Sequence, residues 1–241
     1  MNSLLKKTLS LLFALLLVVT SVPVAAYAGD KEEYELDLST SDHFSIPVQG
    51  MDVTYVLTGT NKDAQVYIHG DCDIILRGAA LRRIDIDHEN SYKVNITLEG
   101  ENTINQYNWA SQAALSIYSS DVTINGGEND SLNATSIAFT VFSNSHDLGC
   151  LTVNGGKITF ESTGGGNPFQ TNYVQNGGTV KVIENSDYSF LYNVKLNGGS
   201  LEVINNSTLT GVIFVGSVNV KKGALLKVSL SDMPYDVSGI I

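Results

Sequence analysis

Leu151-Thr-Val-Asn-Gly-Gly-Lys-Ile-Thr-Phe160 and its echo Val194-Lys-Leu-Asn-Gly-Gly-Ser-Leu-Glu-Val203 decide how this chain folds. In each, apolar and polar residues alternate on both sides of an Asn-Gly-Gly triplet, the pattern of two short strands joined by a tight corner. Asn and Gly accept positive φ at little cost, which suits them to that corner. The triplet occurs four times, at Asn125, Asn154, Asn176 and Asn197, spaced by 154−125 = 29, 176−154 = 22 and 197−176 = 21 residues. A recurrence of roughly 20–30 residues marks a solenoid, in which stacked repeats bury a core that no single repeat could bury alone.

Weaker corners extend the pattern backwards, at Arg77-Gly78 and Glu99-Gly100. Counted from the first glycine, positions −4 and −2 are apolar at most corners: Ile74/Leu76, Ile96/Leu98, Val122/Ile124, Leu151/Val153 and Val194/Leu196. Tyr173/Gln175 breaks the rule, and a one-residue slip that turns Val174 inward is expected there. Positions +3 and +5 are apolar after three corners, as Ile158/Phe160, Val180/Val182 and Leu201/Val203. Val218-Asn-Val-Lys-Lys-Gly223 reads as one more corner. Helical periodicity is absent from the mature chain, and β-branched residues abound. The prediction is an all-β chain: a single-stranded right-handed parallel β-helix of about 21–29 residues per rung. The triplet asparagines should then stack as an amide ladder along its axis.

Residues 1–28 read as a signal peptide, with Lys6 and Lys7 before an apolar run over 9–19 and a cleavage site at Ala26-Tyr27-Ala28. Residues 29–50 are expected to form an N-terminal edge strand or cap, and 51–230 the β-helix. Residues 231–241 follow as a C-terminal tail, at which the chain is either complete or truncated. The strand before that tail is apolar and carries no polar cap, so a further domain or a partner at this edge is expected. The protein is therefore expected to be secreted, free or associated with a cell surface, and to lack a membrane span.

The formal charge is −11, and without Lys6 and Lys7 it becomes −11−2 = −13. Such a balance opposes nucleic-acid binding, which needs clustered Lys and Arg. The two cysteines, Cys72 and Cys150, fall about three rungs apart, too far for a disulfide, so two unpaired, mostly buried thiols are expected.

Chemistry is sparse. The densest cluster is Arg82-Arg-Ile-Asp-Ile-Asp-His-Glu89. With Ile84 and Ile86 inward, Arg83, Asp85 and Asp87 share an outer face, a spacing that suits an acid–base pair or a calcium site. Glu99, Glu101 and Asp121 on adjoining rungs could add ligands. The bland alternative is an exposed strand whose charges keep it soluble, and this is the more common case. Three long loops interrupt the repeat, and loops that leave a solenoid on one side often bind ligands. They carry Tyr107 and Trp109, then His146 and Asp147, then Phe169. Aromatic faces stack on sugar rings, so these five are the candidate ligand contacts. The alternative for Tyr107 and Trp109 is a hydrophobic lid folded over the coil.

The run Val94-Asn-Ile-Thr-Leu-Glu-Gly-Glu-Asn-Thr-Ile104, then Ala113-Ala-Leu-Ser-Ile117 and Val122-Thr-Ile-Asn-Gly-Gly127, resembles a known group. It is similar to the carbohydrate-binding-domain and repeat-rich surface proteins of Gram-positive, often gut, bacteria. The resemblance covers about residues 52–205. It implies a right-handed parallel β-helix related to the pectate-lyase fold and, in some members, calcium-dependent binding of acidic plant polysaccharide. The leading expectation is a non-catalytic module that binds a polysaccharide or cell-surface glycan. A polysaccharide lyase or hydrolase built around Asp85 and Asp87 is the first alternative, and a structural spacer the second.

Overall fold

A computed structural model describes residues 31–107, 112–137, 139–143, 148–164, 169–185, 190–206, 214 and 216–230. The chain divides into Met1–Lys31 and Glu32–Ile241, and the whole strand stack lies in the second part. Alternating sequences form short strands wherever a corner residue stops them, and they follow one another turn by turn. The first turns hold β1 (Glu33–Asp37), β2 (His43–Ile46), β3 (Thr54–Thr60), β4 (Gln65–Ile68), β5 (Cys72–Leu81) and β6 (Arg83–Ile86). Wider turns follow with β7 (Lys93–Glu99), β8 (Glu101–Gln106), β9 (Ala113–Ser116), β10 (Asp121–Asn125), β11 (Ser131–Ser136) and β12 (Phe139–Phe142). The last are β13 (Cys150–Val153), β14 (Lys157–Ser162), β15 (Phe169–Gln175), β16 (Thr179–Glu184), β17 (Phe190–Leu196), β18 (Ser200–Asn205), β19 (Val218–Val220) and β20 (Leu225–Leu230). Among the described residues there is no α-helix, only a 3-10 turn at Leu38–Thr40.

All pairings are parallel, and they build three faces. The first stacks β1, β3, β5, β7, β10, β13, β15, β17 and β19. A second stacks the end of β5 with β8, β11, β14, β16, β18 and β20. The third runs through β2, β4, β6, β9 and β12 into the first halves of β15 and β17. The protein is thus a parallel β-solenoid of about eight turns. Register partners on the first face run through Tyr55, Ile74, Ile96, Ile124 and Val153, so the rungs lengthen towards the middle of the stack.

The core is a set of columns. Leu57, Leu76 and Leu98 stack inside the first face, and Ile158, Val180 and Leu201 inside the second. All six are buried, each contributing roughly 1.5–3 kcal/mol of hydrophobic transfer. At the corner between these faces the asparagines form the expected ladder. Asn154 Nδ2 donates to Asn125 Oδ1 at 2.8 Å, Asn176 to Asn154 at 2.8 Å, and Asn197 to Asn176 at 2.7 Å. Shorter ladders join Asn193 to Asn172 and Asn206 to Asn185.

The two glycines of a triplet are needed for different reasons. Gly178 takes φ +72°, which L side chains rarely adopt. Gly177 has no such φ, but a Cβ there would sit 2.5 Å from the carbonyl oxygen of Asn154 on the rung below. Asn125-Gly126-Gly127 makes its corner differently. The Asp130 carboxylate accepts from Gly127 N–H at 2.7 Å and from Gly100 N–H on the adjoining rung at 2.9 Å, which holds that acid below the usual carboxylate range.

The slip expected at Tyr173/Gln175 does not occur. Tyr173 stays in line with Leu151, and Gln175 with Val153, and both side chains are buried while Val174 is half-exposed. A polar side chain is tolerated because its hydrogen bonds are met inside the corner. Gln175 Nε2 donates to the carbonyls of Gly177, Gly178 and Ser200 at 3.1, 3.2 and 3.0 Å, and Oε1 accepts from the Tyr173 hydroxyl at 3.0 Å. Neither Cys72 nor Cys150 forms a disulfide, and the first is buried and the second half-buried. Burial raises the Cys150 thiol above its ordinary pKa.

Replacing Gln175 tests this corner. Gln175→Leu is expected to cost about 2 kcal/mol in urea unfolding, from the lost bonds to main-chain carbonyls. Gln175→Glu should cost more at neutral pH, because a carboxylate faces those carbonyls. Its folded-state pKa would be raised, so the deficit shrinks as pH falls towards ~4.3. Equal stability of the Glu variant at pH 5 and pH 8 would contradict this account.

Candidate functional site

The third face carries the densest chemistry, and alternation along three short strands puts it there. On β6, Ile84 and Ile86 point into the core, so Arg83 and Asp85 point outward. Register places Gln65 beside Arg83, Tyr67 beside Asp85, and Asp85 beside Ser116 of β9. His69 and Asp87 follow β4 and β6 on neighbouring rungs, and Tyr118 follows β9, held by a positive φ of 45°. Tyr67, His69, Asp85, Asp87, His88, Glu89 and Tyr118 line a groove of about 330 Å³.

Arg83 is the anchor. Its guanidinium donates to Gln65 Oε1 at 2.8 Å and to the Tyr67 hydroxyl at 3.0 Å, and lies 5.3 Å from the Tyr67 ring centroid. Nη2 also pairs with Asp85 Oδ2 at 3.1 Å, in a position where both side chains are largely shielded from water. Losing one partner of so shielded a pair costs roughly 3–5 kcal/mol. The second Asp85 oxygen, Oδ1, is buried and has no hydrogen-bond partner. A buried acceptor without a donor is costly unless a ligand or water supplies one.

Aromatic rings and acids line the same groove as Asp85. The His88 and Tyr118 rings lie 5.6 Å apart and tilted by 52°, and Phe142 backs Tyr118 edge-on at 5.7 Å. Tyr118 titrates above the ordinary tyrosine value, first because it is half-buried and second because the Asp85 carboxylate disfavours the phenolate. Asp87 turns back to its own chain, accepting from Glu89 N–H at 3.1 Å.

Two other hollows are less suited. One, of about 570 Å³, lies over the corner glycines and is walled by main chain with Glu128, Asn129, Lys157 and Thr179. Another, of about 350 Å³, holds Cys150 with Lys93 and Asp121 on the first face. Size alone favours the glycine hollow, but the aromatic rings and the unpartnered acceptor belong to the third-face groove.

Of the residues singled out from sequence, Asp85 and Asp87 lie in this groove. Among the described residues no three His, Cys, Asp or Glu converge to hold a metal, and Asp85 is paired with Arg83. Glu99 pairs with Arg77 at 2.5 Å, so it is not available as a further ligand. Tyr107 is exposed but engaged elsewhere. Its hydroxyl donates to Asp63 and accepts from Lys62 at 3.4 Å, and Lys62 Nζ stands 5.5 Å from its ring centroid. The Tyr107 hydroxyl first, and Lys62 second, hold Asp63 below its ordinary pKa, while Asp63 first, and Tyr107 second, hold Lys62 above its own. Trp109, His146 and Asp147 lie outside the described residues. Phe169 opens β15 beside Val141, and its side chain is likewise outside them.

Tyr67 and Tyr118 escaped sequence reasoning. Tyr67 was visible as an outward position in Gln65-Val-Tyr-Ile68, but only the pairing of β4 with β6 shows what it stacks on. Comparison with known proteins adds no constraint: no protein-family model, curated protein or solved structure matches this chain.

Tyrosine absorbance followed through alkaline pH should show two tyrosines ionising above the ordinary 10.0, Tyr118 and the fully buried Tyr173, and Tyr118→Phe identifies the first of them by its loss. Asp85→Asn removes the facing negative charge and should lower the Tyr118 value. Because the folded form holds this proton more tightly than the unfolded chain, its stabilising contribution is intact below pH ~10 and is lost as pH rises through the raised value. An unchanged Tyr118 titration in Asp85→Asn would show that the two groups do not face each other.

Proposed function

We propose that this protein is a non-catalytic carbohydrate-binding module whose ligand lies in the third-face groove between Tyr67 and Tyr118. One observation carries the reading: a buried carboxylate oxygen, Asp85 Oδ1, has no hydrogen-bond donor, and its residue lines the same groove as the Tyr118 and His88 rings. Sugar hydroxyls supply donors, while the C–H face of a pyranose packs against aromatic rings. Arg83 fixes the orientation of Asp85, so the acceptor is preorganised and little ordering entropy is lost on binding.

The rim favours a hydroxyl-rich neutral glycan. Asp87 and Glu89 stand beside the groove, and the one cation in contact with Asp85, Arg83, is already engaged by Asp85, Gln65 and Tyr67. A uronate would meet carboxylates with no unengaged guanidinium to offset them. The sequence resemblance to surface carbohydrate-binding proteins of Gram-positive bacteria supports the general class. The leader-like residues 1–28 support a secreted or surface location.

Glycan-array screening followed by calorimetry tests the assignment. Neutral polysaccharide should bind, and Tyr118→Ala and Asp85→Asn should each weaken it at least about tenfold, that is ~1.4 kcal/mol. Trp109→Ala and Phe169→Ala should leave it nearly unchanged. The reverse ranking would return the site to the long loops, and silence across plant, host and microbial glycans would reject the module.

A further inference from the structure

The two ends of the solenoid complement one another. On the first face β1 pairs only with β3, and β19 only with β17, so each presents an unpaired edge among the described residues. The inward column that opens at Tyr34 closes at Val220. Its intervening members, such as Tyr55, Ile74 and Leu196, are 1 % exposed, whereas Tyr34 is 38 % and Val220 43 % exposed. Val218 and Leu225 add apolar surface at the same end, at 41 % and 58 %. An edge of this kind is a template for another strand.

Charge distinguishes the ends. Glu32, Glu33 and Glu35 mark the β1 edge, and Lys221 and Lys222 the corner that follows β19. Register then sets which charges would meet. Lys221 N–H donates to the Leu196 carbonyl at 2.8 Å, so Lys221 continues the column of Asn197. One further rung, with Tyr34 on Val220, would bring Glu35 of the added chain beside Lys221.

We propose that a second copy of this chain docks end to end on the first, its β1 adding in parallel to the free edge of β19. Two β19 ends would set lysines against lysines, and two β1 ends glutamates against glutamates, so only opposite ends match. Such a contact is head-to-tail and does not close on itself, which gives an open series rather than a dimer. It is also weak, because the second face begins with the 3-10 turn Leu38–Thr40 and offers β20 no strand to receive. Glycan binding in the third-face groove is independent of it.

Sedimentation velocity of the purified protein over about a hundredfold range of concentration should show an average mass that climbs past the dimer. Raising salt to ~0.5 M should weaken the series, since the paired charges are exposed. Lys221→Glu alone and Glu35→Lys alone should each weaken association about tenfold, and the two changes in one chain should restore it. Unaltered circular dichroism confirms that each variant is folded. A monomer at every concentration, a series that stops at two, single reversals without effect, or a double reversal that fails to restore association would each overturn the proposal.

Discussion

Each rung hydrogen-bonds to the rung beneath it through its main chain, so strands ~4.8 Å apart keep a common register from rung to rung, shifted locally between Thr58 and Thr60 and between Thr171 and Tyr173. A slip of one residue would turn every inward side chain outward. The corners bear the consequence. At Gly177 the main chain passes so close to Asn154 of the lower rung that no Cβ fits, and Asn176 lies directly over Asn154. Corner geometry is therefore copied from rung to rung, and with it the residues that can make that geometry. Asn-Gly-Gly recurs because the register leaves so few alternatives.

The same constraint explains what happens at Gln175. A local slip that buries Val174 would turn both Gln175 and the buried Tyr173 outward, so it exchanges one apolar side chain for another. Keeping register instead preserves the ladder hydrogen bonds to β13 and β17, and the corner carbonyls satisfy the glutamine amide. Ladder continuity and the burial of Tyr173 both hold the register, since each lost main-chain bond in a buried strand costs ~1–3 kcal/mol. Interior polarity is thus compatible with a solenoid wherever a corner supplies acceptors.

Fold and site were legible to different degrees. The strands around Asn154 and Asn197 and the columns they build follow from alternation and spacing, which are local properties of the sequence. The cluster around Asp85 was legible as a row of outward charges on one strand. Its partners were not, because they come from other rungs: Gln65 and Tyr67 from β4 on the rung before, and Ser116 from β9 on the rung after, beyond the whole of β7 and β8. No pattern within a strand announces which residue of the next rung will stand beside it. Calcium was suggested by the spacing of Asp85 and Asp87, whereas the pairing of Asp85 with Arg83 depends on burial and rotamer, which spacing does not carry.

A change of rung width at β6 also accounts for where the groove opens. Below β6 the third-face rungs are short, and β4 and β6 follow each other with only β5 between them. Above β6 the rung widens, and the longer path returns through β9 to a tight turn that Tyr118 enters with positive φ. A side chain on a rung of constant width would lie flat over its lower neighbour. At this change in width Tyr118 is itself half-buried, near enough to Asp85 for that carboxylate to raise its pKa, with its ring tilted against His88. The regular part of a solenoid makes columns, and hollows form where successive rungs disagree in length. The glycine corners, for all their prominence in the sequence, belong to the regular part. The third-face groove belongs to the irregular part, and its chemistry is held in place by the regular rungs on either side.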